Sequence, residues 1–295
     1  MVSELKKFKK IGIFSSIKGK KVNEIALQIK EILESMGLDL YLSQESFKDL
    51  MPGSKNYSDN YLLKNSELII AIGGDGTLLS CSRKFGINGI PILGVNLGNL
   101  GFLTDIQPSE ITTSLRRVLD GEYYEDKRIF LKANSKNIQN EHTALNEIVI
   151  HSGSIAQLIE YELFLNEDFV YRQRADGLII STSTGSTAYS LSGNGPIIHP
   201  SLRAITLLPM FPHSLNSRPL IVDENTKIEI RLCGKNRAYL SADSHNNSSL
   251  KQGSSICVSK SEEELSLIHP IEHDFYSACR NKLGWSLGIK EKNDR

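Results

Sequence analysis

The run Leu68-Ile69-Ile70-Ala71-Ile72, followed by Gly73-Gly74-Asp75-Gly76-Thr77-Leu78-Leu79, restricts this chain more than any other stretch. Its first part is apolar without alternation, which predicts a strand buried on both faces of a parallel sheet. The glycines then break the strand, and a helix is expected to open at Thr77. A strand, a glycine turn and a helix start in succession present backbone N–H groups to a phosphate. The missing Cβ atoms let that backbone approach a ligand closely. Asp75 is out of keeping with phosphate binding, because a carboxylate repels phosphates. It fits a general base for a substrate hydroxyl, a holder of Mg²⁺, or a plain capping Asp in a tight βα turn.

Strands and helices alternate around this turn. Ile11 to Phe14 predicts a strand, and Val22, Ile25, Ala26, Ile29, Leu33 and Met36 predict a helix that Gly37 ends. Leu38 to Leu42 reads as a second strand. The polar segment Ser43 to Tyr61, centred on Pro52-Gly53-Ser54, reads as a surface loop or short helix. The helix after the glycine turn is expected to reach about Phe85. Ile90 to Val95 is a further buried strand, running into a second glycine-containing loop, Asn96 to Phe102. Ser109 is placed to cap a helix carrying Ile111, Leu115, Val118 and Leu119, ending near Gly121. Such alternation predicts an open parallel sheet with ligands at the carboxyl ends of its strands.

Beyond Gly121 the helical period nearly vanishes. Strands are expected at Arg128 to Ala133, Ala144 to His151, Leu158 to Leu165, Asp168 to Gln173, Leu178 to Ser181, Ile205 to Leu208, Lys227 to Leu232, Ala238 to Ala242, Ser255 to Val258 and Leu265 to Ile268. Asn166-Glu167 fits a hairpin turn. The expected fold class is α/β: an open parallel sheet in an N-terminal domain, 1–124, and a second β-rich, sandwich-like domain, 125–270. Helical spacing returns at Asp274 to Leu283, so 271–295 is expected as a tail packing back on the first domain.

Composition excludes several classes. Among 295 residues, 34 basic side chains balance 34 acidic ones, which gives no electrostatic reason for a nucleic-acid partner. The basic start Met1 to Lys10 precedes an apolar run too short for a secretion signal, and no run approaches membrane-spanning length. Cys81, Cys233, Cys257 and Cys279 are scattered, which argues against a zinc site or disulfide framework. These features point to the cytoplasm. His269 and His273 have i,i+4 spacing, which could hold a metal, but Pro270 between them makes a shared helical face improbable, so surface or packing histidines are the favoured reading. Trp285 is read as a core anchor for the tail.

Two further stretches carry polar chemistry. Asp176 to Ser192 is a strand ending in the hydroxyl-dense loop Ser181-Thr182-Ser183-Thr184-Gly185-Ser186-Thr187, with Thr187 onward expected to be helical. Many short donors without bulk suit sugar or phosphate recognition; a serine-rich surface turn is the plain alternative. Asn146-Glu147 is a polar pair in an apolar run, able to read an adenine edge and bind ribose hydroxyls, or simply to mark a strand entering the sheet.

Taken together, Gly73-Gly74-Asp75-Gly76-Thr77, Asn146-Glu147, and Asp176-Gly177 with Thr184 to Tyr189 resemble the bacterial NAD kinases in order and spacing. Asn96 to Leu103, Phe211-Pro212-His213-Ser214-Leu215 and Lys282-Leu283-Gly284-Trp285 are similar to that family as well, so the resemblance runs from about Lys10 to Trp285. It implies transfer of the ATP γ-phosphoryl group to the 2′-hydroxyl of the adenosine ribose of NAD, making NADP. The substrates are then ATP and NAD, with Mg²⁺ or another divalent metal bound to the nucleotide. The resemblance makes Asp75 the general base. Gly73, Gly74, Gly76 and Thr77 then form its ligand-binding turn. Asn146 would read the adenine and Glu147 orient the ribose hydroxyls. Arg174 and Asp176 would lie in the NAD site, and Thr187, Ala188, Tyr189, Ser190, Leu191 and Ser192 would line it. Gln157 and His245 stand near that site, where close relatives often have His and Gln. No protein side chain is expected to form a metal site of its own. No Walker lysine is present, in keeping with a family that leans on backbone donors and metal.

Other departures are Ser183, where relatives usually have proline, which predicts a looser loop, and Leu97, where relatives often carry a polar or basic residue. Gln173-Arg174 stand where the NAD-specific relatives have glutamine and arginine, which implies preference for NAD over NADH. The resemblance also implies a homo-oligomer, a tetramer, in which Asp75 and Asn146-Glu147 meet Asp176 and Thr187 to Tyr189 across a subunit boundary. Two other readings share parts of the pattern. A lipid or sugar kinase has the glycine-Asp turn without needing Asn146-Glu147, and an NAD(P)-binding sensor has little use for a base at Asp75.

Overall fold

The computed structural model describes residues 7–48, 55–98, 101–136, 141–153 and 157–285, with backbone alone at 246 and 247. The chain divides into two compact units, residues 1–127 with 265–295, and residues 128–264.

The first unit is built of β1 (Lys10–Phe14), α1 (Lys20–Ser35), β2 (Asp39–Ser43), α2 (Gln44–Phe47), β3 (Asn56–Tyr57), α3 (Asp59–Asn65), β4 (Leu68–Ile72), α4 (Asp75–Lys84), β5 (Ile92–Val95) and α5 (Ile111–Leu119). Its strands lie in the order β5-β4-β1-β2-β3, and every pair is parallel. β4 is buried along its whole length, as its unalternating sequence requires. Ile25, Ile29 and Leu33 of α1 and Leu115 and Val118 of α5 close on this sheet in one core.

The second unit holds two antiparallel layers. After β6 (Tyr123–Ser135) and β7 (His142–Ala144) come β8 (Glu147–His151), β9 (Ile159–Leu165), β10 (Asp168–Ala175) and β11 (Gly177–Thr182). Then follow α6 (Tyr189–Ser192), β12 (Ala204–Met210), β13 (Leu220–Asp223), β14 (Ile228–Leu232), β15 (Ala238–Ala242), β16 (His245–Leu250) and β17 (Ser255–Pro270). One layer has the order β13-β12-β11-β8-β15-β16. In the other, β10 pairs with β9, β9 with β14, and β14 with the first part of β17. Ile148, Ile150, Leu178 and Ile180 of the first layer share a core with Tyr161, Leu163, Ile230 and Ile256 of the second. That is the sandwich-like domain expected from the run of strands beyond Gly121, with β8 and β11 buried on both faces. The end of β17, Leu267 and Ile268, pairs in parallel with β5, and α7 (Phe275–Leu283) follows.

Several local expectations need correction. The segment 43–61 is not all surface: Ser46 and Phe47 are fully covered, with the Ser46 hydroxyl donating to the Ser15 carbonyl; its centre, Pro52-Gly53-Ser54, lies outside the described residues. The helix after the glycine turn begins at Asp75 rather than Thr77, with Gly74 at its cap position. Ser109 is no cap, because Pro108–Glu110 forms a 3-10 turn that leads into α5. The two segments at 255–258 and 265–268 are one strand. β13 and β16 are strands not among those expected; β13 is a short apolar run, whereas β16 is mostly polar. Trp285 is 54% exposed and anchors no core among the described residues.

Candidate active site

In the first unit the turn 73–77 is shaped by contact. Gly73 donates its N–H to the Val95 carbonyl, and a Cβ there would come within 2.2 Å of the Thr77 hydroxyl oxygen. Thr77 is itself buried and bonded to the Ser16 hydroxyl at 2.8 Å, so its side chain ties the turn to the end of β1. Gly74 and Gly76 are exposed and have open space around the position of a Cβ. Asp75, first residue of α4, is held more firmly than a capping Asp would be. Its Oδ2 accepts the Phe102 N–H at 3.1 Å and its Oδ1 the Leu103 N–H at 3.0 Å. Lys282 Nζ stands 3.5 Å from Oδ2. A Cβ on Gly101 would lie 2.1 Å from Oδ1, so only glycine fits against this carboxylate. The loop is fixed from behind by Asn96, whose amide donates to Thr104 Oγ1 at 2.8 Å while its Oδ1 accepts the Gly98 N–H. Each Asp75 oxygen keeps lone-pair capacity beyond these bonds, as a group that accepts a substrate proton or a hydrated cation must.

His269 and His273 share no helical face, as expected from Pro270, yet they do meet. The end of β17 and the turn after it, closed by His273 N–H to Pro270 O at 3.0 Å, bring both imidazoles to Asp105. Their ligating atoms and those of Asp105 lie within 4.8 Å, the one such group among the described residues. The rings stack at 4.2 Å, with Tyr124 against His269. Burial works to raise the Asp105 carboxyl, but the two imidazoles outweigh it and hold the group well below the ordinary carboxylate range. Each His Nδ1 already points at a carboxylate oxygen, so the trio pins the loop before α5 to the tail.

In the second unit the polar pair and the hydroxyl loop come together. Leu145 and Asn146 leave the strand between β7 and β8, and Glu147 opens β8. The Thr182 N–H donates to the Asn146 carbonyl at 2.9 Å, and a Cβ on Gly185 would sit 2.2 Å from that same oxygen. Thr184 to Thr187 is a 3-10 turn and Tyr189–Ser192 one helical turn, so the helix expected at Thr187 starts two residues later. Arg128, buried, donates to Thr184 Oγ1 at 3.2 Å. The Ser183 hydroxyl stands within hydrogen-bond reach of the Leu202 and Ala204 carbonyls and has one proton to donate between them, a tie that proline lacks.

Asn146 and Glu147 are 7% and 3% exposed, yet Asn146 Oδ1 and Glu147 Oε2 have no hydrogen-bond partner among the described residues. Buried polar atoms left without partners are costly, so each calls for an explanation. Burial and then the nearby Asp243 push the Glu147 carboxyl up to about 8, with the Tyr189 amide acting the other way. Glu147 is therefore mostly protonated at neutral pH in the free protein.

Asp243 was not singled out from the sequence, although it organises this site. It is buried, and its carboxylate accepts three backbone N–H groups: Leu145 at 2.9 Å, Asn146 at 2.8 Å and Glu147 at 3.2 Å. Asp243 and Ser244 have φ of 45° and 59°, the left-handed turn that joins β15 to β16. An Asp-Ser pair ending an apolar strand was the available turn signal. His245 is exposed beside it, its Nδ1 2.7 Å from the Asp243 carbonyl. Ser190 is fully buried, Thr187, Ala188 and Leu191 are half-buried, and Ser192 is exposed. Tyr189 and Ser192 line a cavity of about 440 Å³ with Phe211 and Arg218. Gln157, exposed, precedes β9. Arg174, also exposed, lies near the end of β10, its carbonyl accepting from His213 N–H, and half-buried Asp176 links β10 to β11.

The ATP-NAD kinase N-terminal domain family matches residues 11–123, and the ATP-NAD kinase C-terminal domain family matches residues 145–270. The chain belongs to the NAD kinase family. The resemblance read from the motifs therefore holds, and with it the assignment as an NAD-phosphorylating enzyme. The chain is 42% identical to an NAD kinase of Marinobacter nauticus over 96% of its length and 98% of that protein. It is 38% identical to one of Pseudomonas putida over 98% of its length and all of that protein. Among solved structures, the NAD kinase from Archaeoglobus fulgidus in complex with ATP matches with a TM-score of 0.72 at 26% identity, covering 95% of this chain and all of that one. Yeast NADH kinase complexed with NADH shares the fold, with a TM-score of 0.88 at 24% identity over 97% of this chain and 90% of that one. No helix among the described residues of this NAD kinase family member is long and apolar enough to cross a membrane.

Proposed function

We infer that this chain transfers the γ-phosphoryl group of ATP to the 2′-hydroxyl of the adenosine ribose of NAD, with Asp75 as the base. The observation that carries the reading is the Asp75 carboxylate, fixed by two backbone amides and partly open to solvent at the head of α4. A pure binding protein has no use for a carboxylate held this way beside a glycine turn. Asn146 and Glu147, with their buried unsatisfied oxygens, are the adenine- and ribose-binding pair. Gly73, Gly74, Gly76 and Thr77 form the ligand-facing turn. Gln157, Arg174, Asp176, His245 and the segment Thr187 to Ser192 serve the NAD side. A divalent metal, Mg²⁺ or another, would be held by the nucleotide phosphates and would neutralise part of their charge. Asp75 is the carboxylate of the turn suited to meet its hydration shell.

Purified protein given Mg²⁺-ATP with NAD, NADH, a diacylglycerol or a sugar is expected to phosphorylate NAD. Arg174 beside Gln173 supports a kcat/KM for NAD well above that for NADH. Phosphate on the lipid or sugar instead, or equal use of NADH, contradicts the reading.

The proposed active unit is a closed homotetramer in the cytoplasm. The layer of the second unit ends on β13 and β16, and β10 carries Phe169 and Val170 with 58% and 37% exposure. Open strand edges and exposed apolar side chains of this kind are what a second copy covers. Light scattering is expected to give four chains, and a monomer with full specific activity contradicts it.

A further inference from the structure

A carboxylate that works beside a transferring phosphoryl group faces a charge problem. The ionised base repels the group it must help to transfer, and the glycine turn offers only backbone dipoles against this. The sequence supplies no lysine within the turn itself. The fold supplies one from the other end of the first unit.

Lys282 is the next-to-last residue of α7. A cation there is favoured by the helix dipole, and the helix stops two residues later at Gly284, whose φ of 67° is the left-handed C-terminal cap. Ala278 and Cys279 on the same helix are buried, which fixes the face it presents. Its Nζ lies 3.5 Å from Asp75 Oδ2 and 5.1 Å from the centre of the Phe102 ring. Phe102 thus acts twice, its amide on the carboxylate and its ring under the ammonium. Both side chains of the pair are about one-third exposed, so the pair adds little to stability. At this separation the ammonium also keeps N–H donors free.

We propose that Lys282 is a positioning residue for phosphoryl transfer: its ammonium orients the Asp75 carboxylate and cancels its charge towards the incoming phosphoryl group. The inference rests on Asp75 as the base. In the step itself the 2′-hydroxyl oxygen forms a bond to the γ-phosphorus, the bond from that phosphorus to the bridging oxygen of ADP breaks, and the hydroxyl proton passes to Asp75. Lys282 keeps its proton throughout. Its part is to hold the acceptor oxygen in place and to lower the electrostatic cost of bringing an anion to it.

The test is steady-state kinetics of Lys282→Ala, Lys282→Arg, Asp75→Asn and the Asp75→Asn/Lys282→Ala double variant, each checked for an unchanged thermal midpoint. Lys282→Ala is expected to lower kcat about 10- to 100-fold while KM for NAD changes less than about twofold. Lys282→Arg should retain most of the rate, and added ethylamine should restore part of it to Lys282→Ala. The double variant should be no slower than Asp75→Asn alone, because the lysine acts through that carboxylate. If Asp75→Asn is slow and Lys282→Ala is as fast as wild type, the inference about Lys282 is overturned and the base assignment stands. If Asp75→Asn turns over like wild type, the base assignment itself has failed. Additive losses in the double variant, or a loss confined to KM, also overturn the proposal.

Discussion

Asp75→Asn is expected to fold like the wild type and to lose about 10² to 10⁴ of its turnover, the usual contribution of a positioned base. Asparagine keeps the size of the side chain and one acceptor oxygen. It loses the second oxygen that now receives the amide of either Phe102 or Leu103, and it cannot take a proton. The thermal midpoint should therefore drop only slightly, because the turn is also held by Gly73 to Val95 and Thr77 to Ser16. KM for NAD should stay within a few-fold, since Asn146 and Glu147 are untouched. Wild-type kcat in this variant sinks the base assignment. A fall in kcat that tracks a fall in stability removes its support as well.

The second large effect belongs to Glu147. Its carboxyl sits at about 8 in the folded protein against an ordinary 4.5, because burial and Asp243 disfavour the charge. Between these two values the folded chain holds a proton that the unfolded chain has released. Folding stability thus falls as pH rises through that window, by an amount on the order of a few kcal/mol. Below the lower value both states are protonated and the penalty is absent. Glu147→Gln removes the titration while keeping the shape. The variant should match the wild type in thermal midpoint near pH 4.5 and exceed it by several degrees near pH 9. Near pH 9, where the wild-type carboxyl is ionised, it should also raise KM for NAD roughly tenfold or more, since a charge-assisted bond to ribose hydroxyls is lost. Thermal scans of both proteins at the two pH values decide the first point, and a midpoint difference that does not change with pH contradicts it. Unchanged KM contradicts the second.

The sequence made the first unit's sheet and turn legible because their cues are local. Five buried apolar residues ending in glycines allow few alternatives, and α1 shows its period over 16 residues. What it hid acts over distance or through the backbone. Asp243 holds Leu145, Asn146 and Glu147 through their amides from almost a hundred residues away, and amides leave no mark on residue type. β16, polar throughout most of its length, is a strand because β15 pairs with it. Lys282 was visible only as part of a terminal motif, and its nearness to Asp75 depends on how α7 returns to the first unit. His269 and His273 were judged by helix geometry, whereas a strand end and a turn present them to Asp105. Ser183 was read as a missing proline. Its hydroxyl has one proton to share between the Leu202 and Ala204 carbonyls, a bond that a ring cannot make.

The claim on which the rest depends is that the 2′-hydroxyl of NAD is delivered to Asp75. A crystal structure of this chain with NAD bound measures it directly. The 2′-oxygen is expected at about 2.6–3.2 Å from a carboxylate oxygen of Asp75, or joined to it through one water. A 2′-oxygen held away from Asp75, with another protein group in hydrogen-bond reach of it, contradicts the account.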